Sequence, residues 1–318
     1  MREPLLVTGL PRTGTSWVGK MLEAGGEVVY VNEPLNPRHP PGHSPGVLRA
    51  EVTHRFQYIC GDDEDPWLSA FTDTARLRYH AGAELRRNRR PYDLARLVKY
   101  GSAFTYGRLR GRRALLDDPY ALLSAAWFAR RLGATVVLLV RDPVAFAGSW
   151  QKLGWSVRPA ELLDQPLLVR DLLAGDAADL RARAALDDPL GDNATLWRVA
   201  YSAVHRVIAR EPGVHVVRYE DLSRRPVEAF AELYDRCGLR WTPRTRAAVE
   251  AATSGGSGEG SGFAWSRTAG LSRTAYRRMD SSTALATYRD RLSADEIARV
   301  RALTADVAAL YYPDPVRS

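Results

Sequence analysis

The chain has 318 residues, a hydrophobic fraction of 45% and a formal net charge of +8 at pH 7. This length suits one large α/β domain, and no segment in the middle has the composition of an interdomain linker. No apolar stretch reaches transmembrane length, and the N-terminus runs into the first predicted strand without a signal-peptide pattern, which together predict a cytoplasmic protein. Two distant cysteines, Cys60 and Cys237, fit reduced packing residues better than a disulfide framework or a metal site.

Apolar runs alternate with helical periodicity along the chain, which predicts an α/β fold with a mainly parallel central sheet flanked by helices in three layers. We expect a single domain over residues 1–318, with a helical insertion at about 65–111. The predicted strands are Leu5–Thr8, Glu27–Val31, Ala114–Asp117, Thr135–Arg141 and Val214–Arg218. The predicted helices are Ser16–Ala24, Pro119–Leu132, Val144–Leu153, Thr195–Arg210, Val227–Cys237 and Ala294–Leu310.

Residues 5–22 form an apolar strand, a glycine-bounded loop and an amphipathic helix that opens with hydroxyl side chains. Gly9 and Gly14 have the spacing of a Walker A loop and Ser16 has the position of its Ser or Thr, but Thr15 stands where that motif requires Lys. Backbone N–H groups and a helix N-terminus bind phosphate without a lysine. The sequence therefore predicts a P-loop-like phosphate cradle for a nucleotide whose reacting end differs from a Mg-bound γ-phosphate.

A second segment, residues 135–150, is a buried-type strand that ends in Arg141 and continues into a helix carrying Ser149. Ligands of open α/β sheets bind at the carboxyl ends of strands, and Ser149 lies about two turns into the helix, so both side chains can face one anion. The same Arg-Asp-Pro sequence also suits a plain strand-to-helix turn, with Asp142 as the N-cap and Pro143 at the first helical position.

A third segment, residues 214–222, is a short strand that ends in Tyr-Glu-Asp-Leu. In this order the three segments resemble the sulfotransferases of bacterial type that use 3′-phosphoadenosine 5′-phosphosulfate (PAPS), with residues 11–17 as the 5′-phosphosulfate loop. In this family an Arg and a Ser hold the 3′-phosphate and a Tyr lies near the adenine, and no metal is required. The resemblance implies donor-binding roles for Arg12, Thr13, Gly14, Thr15, Ser16, Trp17, Arg141, Ser149 and Tyr219.

Sulfuryl transfer also needs a cation for the leaving phosphate and a base for the acceptor proton. Arg12 lies within the loop, where related enzymes use Lys or Arg. Glu33, in Val-Asn-Glu-Pro-Leu, resembles the Glu of protein-tyrosine and carbohydrate sulfotransferases and is expected beside the phosphate-loop strand; burial would raise its pKa, whereas an adjacent arginine would oppose that shift. A structural, salt-bridging role is the alternative for Glu33. Histidine is the usual base of small-molecule sulfotransferases, and three lie nearby, outside that family's Lys-x-x-His context: His39, His43 and His54.

One position departs from the resemblance. Relatives often have Lys-Asp-Pro after the strand that precedes the long helix, with the lysine on the sulfonate, whereas here Asp117 stands at the lysine position. The charge stabilisation then falls to Arg12 or to another cation. Asp118 is expected to be the N-cap of the helix that starts at Pro119.

The Gly/Ser-rich loop at about 254–262 is expected to be flexible, either as a plain loop or as the hinge of a lid. Basic residues follow it, and the sequence assigns none of them to the 3′-phosphate: Arg267, Arg273, Arg277 and Arg278. Residues 288–293 faintly resemble the Trp-Lys-Asn-x-Phe-Thr stretch that follows this loop in the family. A further concentration of basic residues, 76–113, suits a solvated face or a docking surface for an acidic acceptor, a carrier protein or a membrane.

The resemblance implies transfer of the sulfuryl group of PAPS to a hydroxyl, in preference to an amine. The acceptor is expected to be a small molecule, a sugar or a lipid, either free or carrier-bound, and no nucleic-acid module accompanies the basic residues. A P-loop small-molecule kinase is disfavoured by Thr15 at the lysine position and by the lack of a convincing Walker B carboxylate. A third interpretation is a non-catalytic nucleotide-binding module in which Asp117 has abolished turnover.

Overall fold

The protein is built on a five-stranded parallel sheet. This computed structural model describes residues 3–37, 50–65, 67–87, 91–253 and 291–313. The sheet consists of β1 (Leu5–Gly9), β2 (Val28–Asn32), β3 (Arg113–Asp117), β4 (Thr135–Val140) and β5 (Val214–Arg218). These strands lie in the order β2-β3-β1-β4-β5, and every pairing is parallel. The predicted α/β class and parallel sheet are therefore confirmed.

Helices cover both faces of the sheet because successive strand residues point to opposite sides. Leu6 packs in one buried apolar cluster, while its neighbours Leu5 and Val7 pack in another. In the same way, Leu138 belongs to the first cluster and Leu139 to the second. The two clusters are the cores on either side of the sheet, which makes the three layers.

The helices begin and end as follows: α1 (Thr15–Glu23), α2 (Trp67–Ala75), α3 (Ala81–Arg87), α4 (Pro91–Leu109), α5 (Ala125–Leu132), α6 (Pro143–Gln151), α7 (Pro159–Leu163), α8 (Pro166–Leu168), α9 (Ala177–Ala184), α10 (Pro189–Arg206), α11 (Tyr219–Arg224), α12 (Pro226–Arg236), α13 (Pro243–Thr253) and α14 (Ala294–Tyr311). A 3-10 segment, Pro119–Ser124, precedes α5. Two predicted N-caps are present: the carboxylate of Asp118 accepts from the N–H of Tyr120 and that of Asp142 from the N–H groups of Val144 and Ala145.

Each predicted helix corresponds to an observed one, with some differences in extent. Helix α10 starts at Pro189, six residues before its predicted start, because Asp188 caps it and Pro189 fits the first helical position. The predicted helix from Pro119 opens as a 3-10 segment before α5. The short helices α7 to α9 were not predicted. Their apolar residues are few and pack against α10 and the core, which local periodicity does not show.

The expectation that β2 lies beside the phosphate-loop strand is wrong. Strand β3 separates β2 from β1 and pairs with both. A crossover between parallel strands does not require them to be neighbours, and residues 33–112 connect β2 to β3 with enough chain for β3 to enter between them. Glu33 therefore lies two strands away from the phosphate loop.

The region predicted as a helical insertion contains three helices, α2, α3 and α4. Several predicted features lie outside the described residues: the Gly/Ser loop at 254–262, the basic residues at 267–278, His39 and His43. Both cysteines are unpaired, as expected, and burial raises the pKa of the Cys237 thiol to about 12. None of the helices in the described part of the chain combines the length and apolar character needed to cross a bilayer.

Candidate functional site

The loop between β1 and α1 depends on two glycines. Gly9 has a φ of +148° and Gly14 a φ of +100°, both in the region that favours glycine. A Cβ atom on Gly9 would lie 2.6 Å from the carbonyl oxygen of Leu139, and one on Gly14 would lie 2.7 Å from the ring of Tyr219. Glycine is therefore needed at both positions for the loop to pass this close to β4 and to Tyr219.

The remaining loop residues are fixed by hydrogen bonds. Arg12 is held at a φ of +77°, which is uncommon for a residue other than glycine. The Thr13 hydroxyl donates to the carbonyl oxygen of Leu10 at 2.7 Å, and the indole N–H of Trp150 donates to that of Pro11 at 2.8 Å. A strained backbone that its neighbours hold in place is typical of a preorganised binding loop.

The loop delivers the N-terminus of α1 to the carboxyl edge of the sheet. Gly14 is the N-cap of this helix, and no side chain caps it within the described residues. The first N–H groups of a helix have no partner within the helix, and together with the helix dipole they favour an anion. Ser16 is exposed at this point, while Thr15 is buried. The geometry suits a phosphate or sulfate group.

Positively charged side chains converge on the same loop. The Nε atom of Arg12 donates to the hydroxyl of Ser149 on α6 at 3.3 Å, and Nη1 of Arg141 donates to the backbone oxygen of Arg12 at 2.9 Å. Partial burial lowers the pKa of Arg12, and the charges of Arg141 and Arg291 lower it further. Three arginines this close repel one another, and an anion placed among them would relieve that repulsion.

Arg291 was not among the predicted site residues. It lies against α6, where a Cβ atom on Gly148 would be 3.6 Å from the Cβ of Arg291. The faint family resemblance of residues 288–293 was the sequence signal that could have found it. The structure thus adds a cation near Gly148 and Arg12 from a segment far away in sequence.

The turn that carries Arg141 is held by a buried carboxylate. Glu220 accepts from the backbone N–H of Asp142 at 2.9 Å and from the hydroxyl of Tyr312 at 2.8 Å. Burial raises the pKa of Glu220, and the hydrogen bonds to its charged form oppose this shift. The guanidinium of Arg141 lies 4.6 Å from the ring centroid of Tyr219. Glu220 and Tyr219, both from the Tyr-Glu-Asp-Leu segment, therefore position Arg141 and its turn. The sequence did not indicate this role of Glu220.

Two of the predicted donor-binding aromatic residues are buried beneath the loop. Tyr219 opens α11 and is 1% exposed. Trp17 packs edge-on against Tyr219 and Phe230, with ring centroids 5.7 and 5.2 Å away. Their side chains contact the loop, Arg141 and the core in this structure.

Asp117 is fully buried at the end of β3, beneath the start of α1. It accepts a hydrogen bond from the hydroxyl of Tyr30. Burial raises the pKa of Asp117 to about 6, while the hydrogen bond from Tyr30, the nearby hydroxyl groups of Ser16 and Thr15 and the charge of Lys20 act in the opposite direction. The carboxyl group thus lies beside the hydroxyl side chains that open α1, and its Oδ1 atom has no hydrogen-bond partner within the described residues.

The position of Asp117 bears on the sequence-based argument that the chain lacks a Walker B carboxylate. The sequence offered no convincing Walker B carboxylate, yet Asp117 ends β3, the strand next to β1, and lies close enough to Ser16 to influence the pKa of the carboxyl group. That is the place of the Walker B Asp in P-loop nucleotide-hydrolysing enzymes. Thr15 still stands where those enzymes have the lysine that contacts the β- and γ-phosphates, so this contact to a triphosphate is missing.

Glu33 has the electrostatics of a base that works near neutral pH. Burial raises its pKa to about 7; a hydrogen bond from Asn36 opposes the shift, and the charge of Asp117 adds to it. The distance between Nδ2 of Asn36 and Oε2 of Glu33 is 2.6 Å. The backbone of Glu33, with a φ of +43°, donates to the carbonyl oxygen of Asp117 at 2.8 Å. Of the three candidate histidines, His54 is described, and its Nδ1 lies 2.8 Å from the hydroxyl of Thr53.

Asp118 ties together the loops that follow β2 and β3. Its carboxylate accepts from the N–H of Leu35 at 2.6 Å and from that of Tyr120 at 3.0 Å. Burial raises the pKa of Asp118, and the charge of Glu33 contributes in the same direction. In the described ranges of the chain, these and the other His, Cys, Asp and Glu side chains form no group of three suited to hold a metal ion.

A family model and several solved structures match this chain. A family model described as "Sulfotransferase family" matches residues 4–243. Among solved structures, the sulfotransferase domain from the curacin biosynthetic pathway aligns with a TM-score of 0.51 at 12% identity, covering 96% of this chain and 98% of that one. The sulfotransferase domain of the Synechococcus PCC 7002 olefin synthase aligns with a TM-score of 0.46 at 17% identity, covering 99% and 97% of the two chains. A search of curated proteins found no match.

Proposed function

This chain belongs to the sulfotransferase family, and on that premise we propose that it transfers the sulfuryl group of PAPS to an acceptor hydroxyl. The observation that carries the proposal is the convergence of Arg12, Arg141 and Ser149 on the open N-terminus of α1. These groups suit a donor with two separate phosphate positions. When bound, PAPS would supply a sulfuryl group on a phosphate leaving group.

The loop and the helix N-terminus would hold the 5′-phosphosulfate, and Arg141, Ser149 and Arg291 would hold the 3′-phosphate. Arg12 would stabilise the negative charge that develops on the bridging oxygen, because its guanidinium is partly exposed in the loop. Preorganised donors of this kind commonly account for a large share of a rate enhancement.

Glu33 would accept the acceptor's proton. Its pKa of about 7 leaves a substantial fraction ionised at neutral pH while keeping the carboxylate a better base than an exposed Glu. In the transfer, the acceptor oxygen forms a bond to sulfur and the bond from sulfur to the bridging oxygen breaks. The electron pair stays on the leaving phosphate, and the proton passes to Glu33.

A cavity of about 230 Å³ beside the loop is the proposed acceptor site. Its walls include Pro11 from the phosphate loop, Pro37, Tyr120, Trp150 and Trp155. The hydrogen bond from Trp150 to Pro11 and the edge-on contact between Trp150 and Trp155, at 5.9 Å, fix these flat surfaces. The cavity suits a planar or apolar acceptor, or the reacting end of a larger one.

Arg55, the charged residue among the described walls of this cavity, is paired within the protein. Arg55 donates to the backbone oxygen of Ser156 at 2.9 Å and forms an ion pair with Glu161 at 3.0 Å. Because its charge is already paired, the cavity suits an uncharged acceptor group in preference to a carboxylate or phosphate.

Transfer of ³⁵S from labelled PAPS to a panel of phenols, sugars and hydroxylated lipids tests this function. We expect label on at least one hydroxyl acceptor, without added metal, and loss of that label in Arg12→Ala. The matched control is Arg181→Ala, which removes an exposed arginine of α9. Phosphoryl transfer from Mg-ATP would instead support the kinase, and nucleotide binding without turnover on any acceptor would support the non-catalytic module.

A further inference from the structure

The charge of the protein is concentrated in one segment. Residues 76–113 contain 12 Lys and Arg but only two Asp and Glu, whereas the whole chain has a net charge of +8. The rest of the chain is therefore slightly negative. Much of the positive charge of the protein therefore belongs to the segment that contains α3 and α4, although Arg78 is paired with Asp73 and Arg113 lies on β3.

Apolar side chains protrude from the same region. On α4, the exposed fractions of Leu94, Val98 and Leu109 are 39%, 67% and 78%. At 3.6 residues per turn these three positions lie within about 60° of one another around the helix axis. Phe104, on another side of the helix, is fully buried. Helix α4 thus packs through one face and on the other presents a stripe formed by Leu94, Val98 and Leu109, with the exposed hydroxyl residues Ser102 and Thr105 between Val98 and Leu109.

Two neighbouring residues extend this stripe. Leu85 of α3 is 53% exposed, and Tyr106 of α4 is 47% exposed. The guanidinium groups of Arg110 and Arg112 lie 5.1 and 4.9 Å from the ring centroid of Tyr106. In the described ranges, the α3–α4 surface holds more of the exposed large apolar side chains than any other part of the chain: Leu85, Leu94, Val98, Tyr106 and Leu109.

Basic residues border the stripe on both sides. By helical geometry, Lys99 lies on one flank of the line through Val98 and Leu109, and Arg108 lies on the other. Long basic side chains can lay their stems along apolar surface while their charged ends reach an anionic layer. A basic, partly apolar helix face of this kind is typical of helices that lie in a membrane interface.

We propose that the α3–α4 surface docks on an anionic lipid membrane. The apolar stripe would insert at the level of the headgroups, and the surrounding arginines would meet the acidic lipids. The stripe is convex and mainly aliphatic, and a fluid bilayer accommodates such a surface without a shaped pocket. The positive charge of this surface is complementary to the negative charge of the lipid headgroups.

Co-sedimentation with vesicles tests the proposal. The intact protein is mixed with vesicles of phosphatidylcholine alone or with 30% phosphatidylglycerol, at low and at high salt. The test variant is Val98→Ser/Leu109→Ser, which removes the two most exposed apolar residues of the stripe without creating a cavity. The matched control is Leu186→Ser, at a position that is 52% exposed on another part of the protein.

We expect binding to the anionic vesicles, little binding to neutral ones, weakening by salt, and at least a tenfold loss of affinity in the double Ser variant with none in the control. Absence of binding to anionic vesicles would overturn the proposal. So would equal affinity of the double variant and the wild type, because the surface would then act by charge alone and an acidic macromolecule would be the better partner. Far-UV circular dichroism and thermal unfolding of the same samples show whether the variants are folded.

Discussion

Arg141 donates a hydrogen bond of 2.9 Å from Nη1 to the backbone oxygen of Arg12. The residue proposed to bind the 3′-phosphate therefore also fixes the loop residue proposed to stabilise the leaving group. The guanidinium of Arg141 lies over Tyr219, which in turn packs against Gly14. These contacts connect the two ends of the proposed donor site, so substitutions at individual residues should have measurable effects.

Gly14→Ala should disrupt the loop. The added Cβ atom would lie 2.7 Å from the ring of Tyr219 at a φ of +100°. We expect a loss of about 2 to 4 kcal/mol in the free energy of unfolding, from backbone strain and overpacking. Gly26→Ala is the matched control, since Gly26 also has a positive φ but a Cβ atom added there would meet no other atom within 4 Å; it should cost about 1 kcal/mol. Urea denaturation measures both, and equal losses would contradict the close packing of Tyr219 on the loop.

Arg12→Ala should act on turnover more than on binding. Its guanidinium is expected to stabilise the negative charge that develops on the leaving phosphate, so kcat should fall roughly 100- to 1000-fold in the variant. Affinity for the product 3′-phosphoadenosine 5′-phosphate (PAP) should fall much less, because Arg141 and the helix N-terminus remain. Arg12→Lys keeps the charge and should restore part of the rate. Unchanged kcat in the Ala variant would exclude Arg12 from charge stabilisation.

Glu33→Gln should remove a pH dependence. Because burial raises the pKa of Glu33 to about 7, the carboxyl group is protonated below that pH and cannot act as a base. The wild-type kcat should therefore rise as the pH increases through about 7. The Gln variant should lose roughly 100-fold or more in kcat and lack that inflection. Glu250→Gln, at an exposed position of α13, is the control. A variant profile that keeps the inflection would assign it to another group.

Asp117→Asn should change how stability depends on pH. The pKa of Asp117 is raised to about 6 in the folded protein from 3.8. Between about pH 4 and 6 the folded state binds more protons than the unfolded state, so the contribution of this group to stability falls as the pH rises, by roughly 3 kcal/mol in total. Urea denaturation from pH 4 to 7 should give a flatter curve for the Asn variant than for the wild type. Asp164→Asn, a control at an exposed position, should leave the pH dependence of the free energy of unfolding as in the wild type. Parallel curves for the wild type and Asp117→Asn would refute the raised pKa of Asp117.

The sequence was sufficient to predict the loop between β1 and α1 because the signals for this loop are local. Glycine spacing marks the turn after β1, and an apolar run marks β4 with Arg141 just after it. In a parallel sheet these two ends must share one edge, and β1 and β4 are direct neighbours. The contact between Arg12 and Ser149 follows from that arrangement.

Other parts of the site depend on contacts that no local pattern encodes. Arg291 reaches α6 through the tertiary position of the segment before α14, far from the other site residues in sequence. Asp117 took the lysine position of relatives, but its burial and its bond with Tyr30 follow from the insertion of β3 between β2 and β1. The order of strands in a parallel sheet is set by packing of the crossover segments, so the sequence placed Glu33 one strand too close to the loop.

The most direct test of the donor site is a calorimetric titration with PAP, with and without Mg²⁺ and against ATP, for the wild type, Arg141→Ala and the surface control Arg181→Ala. We expect metal-independent binding that ATP does not match, unchanged in the control and weakened roughly 10- to 100-fold in Arg141→Ala, as for the loss of a charge-assisted hydrogen bond. Absence of PAP binding, or Mg-dependent preference for ATP, would contradict the proposed PAPS site.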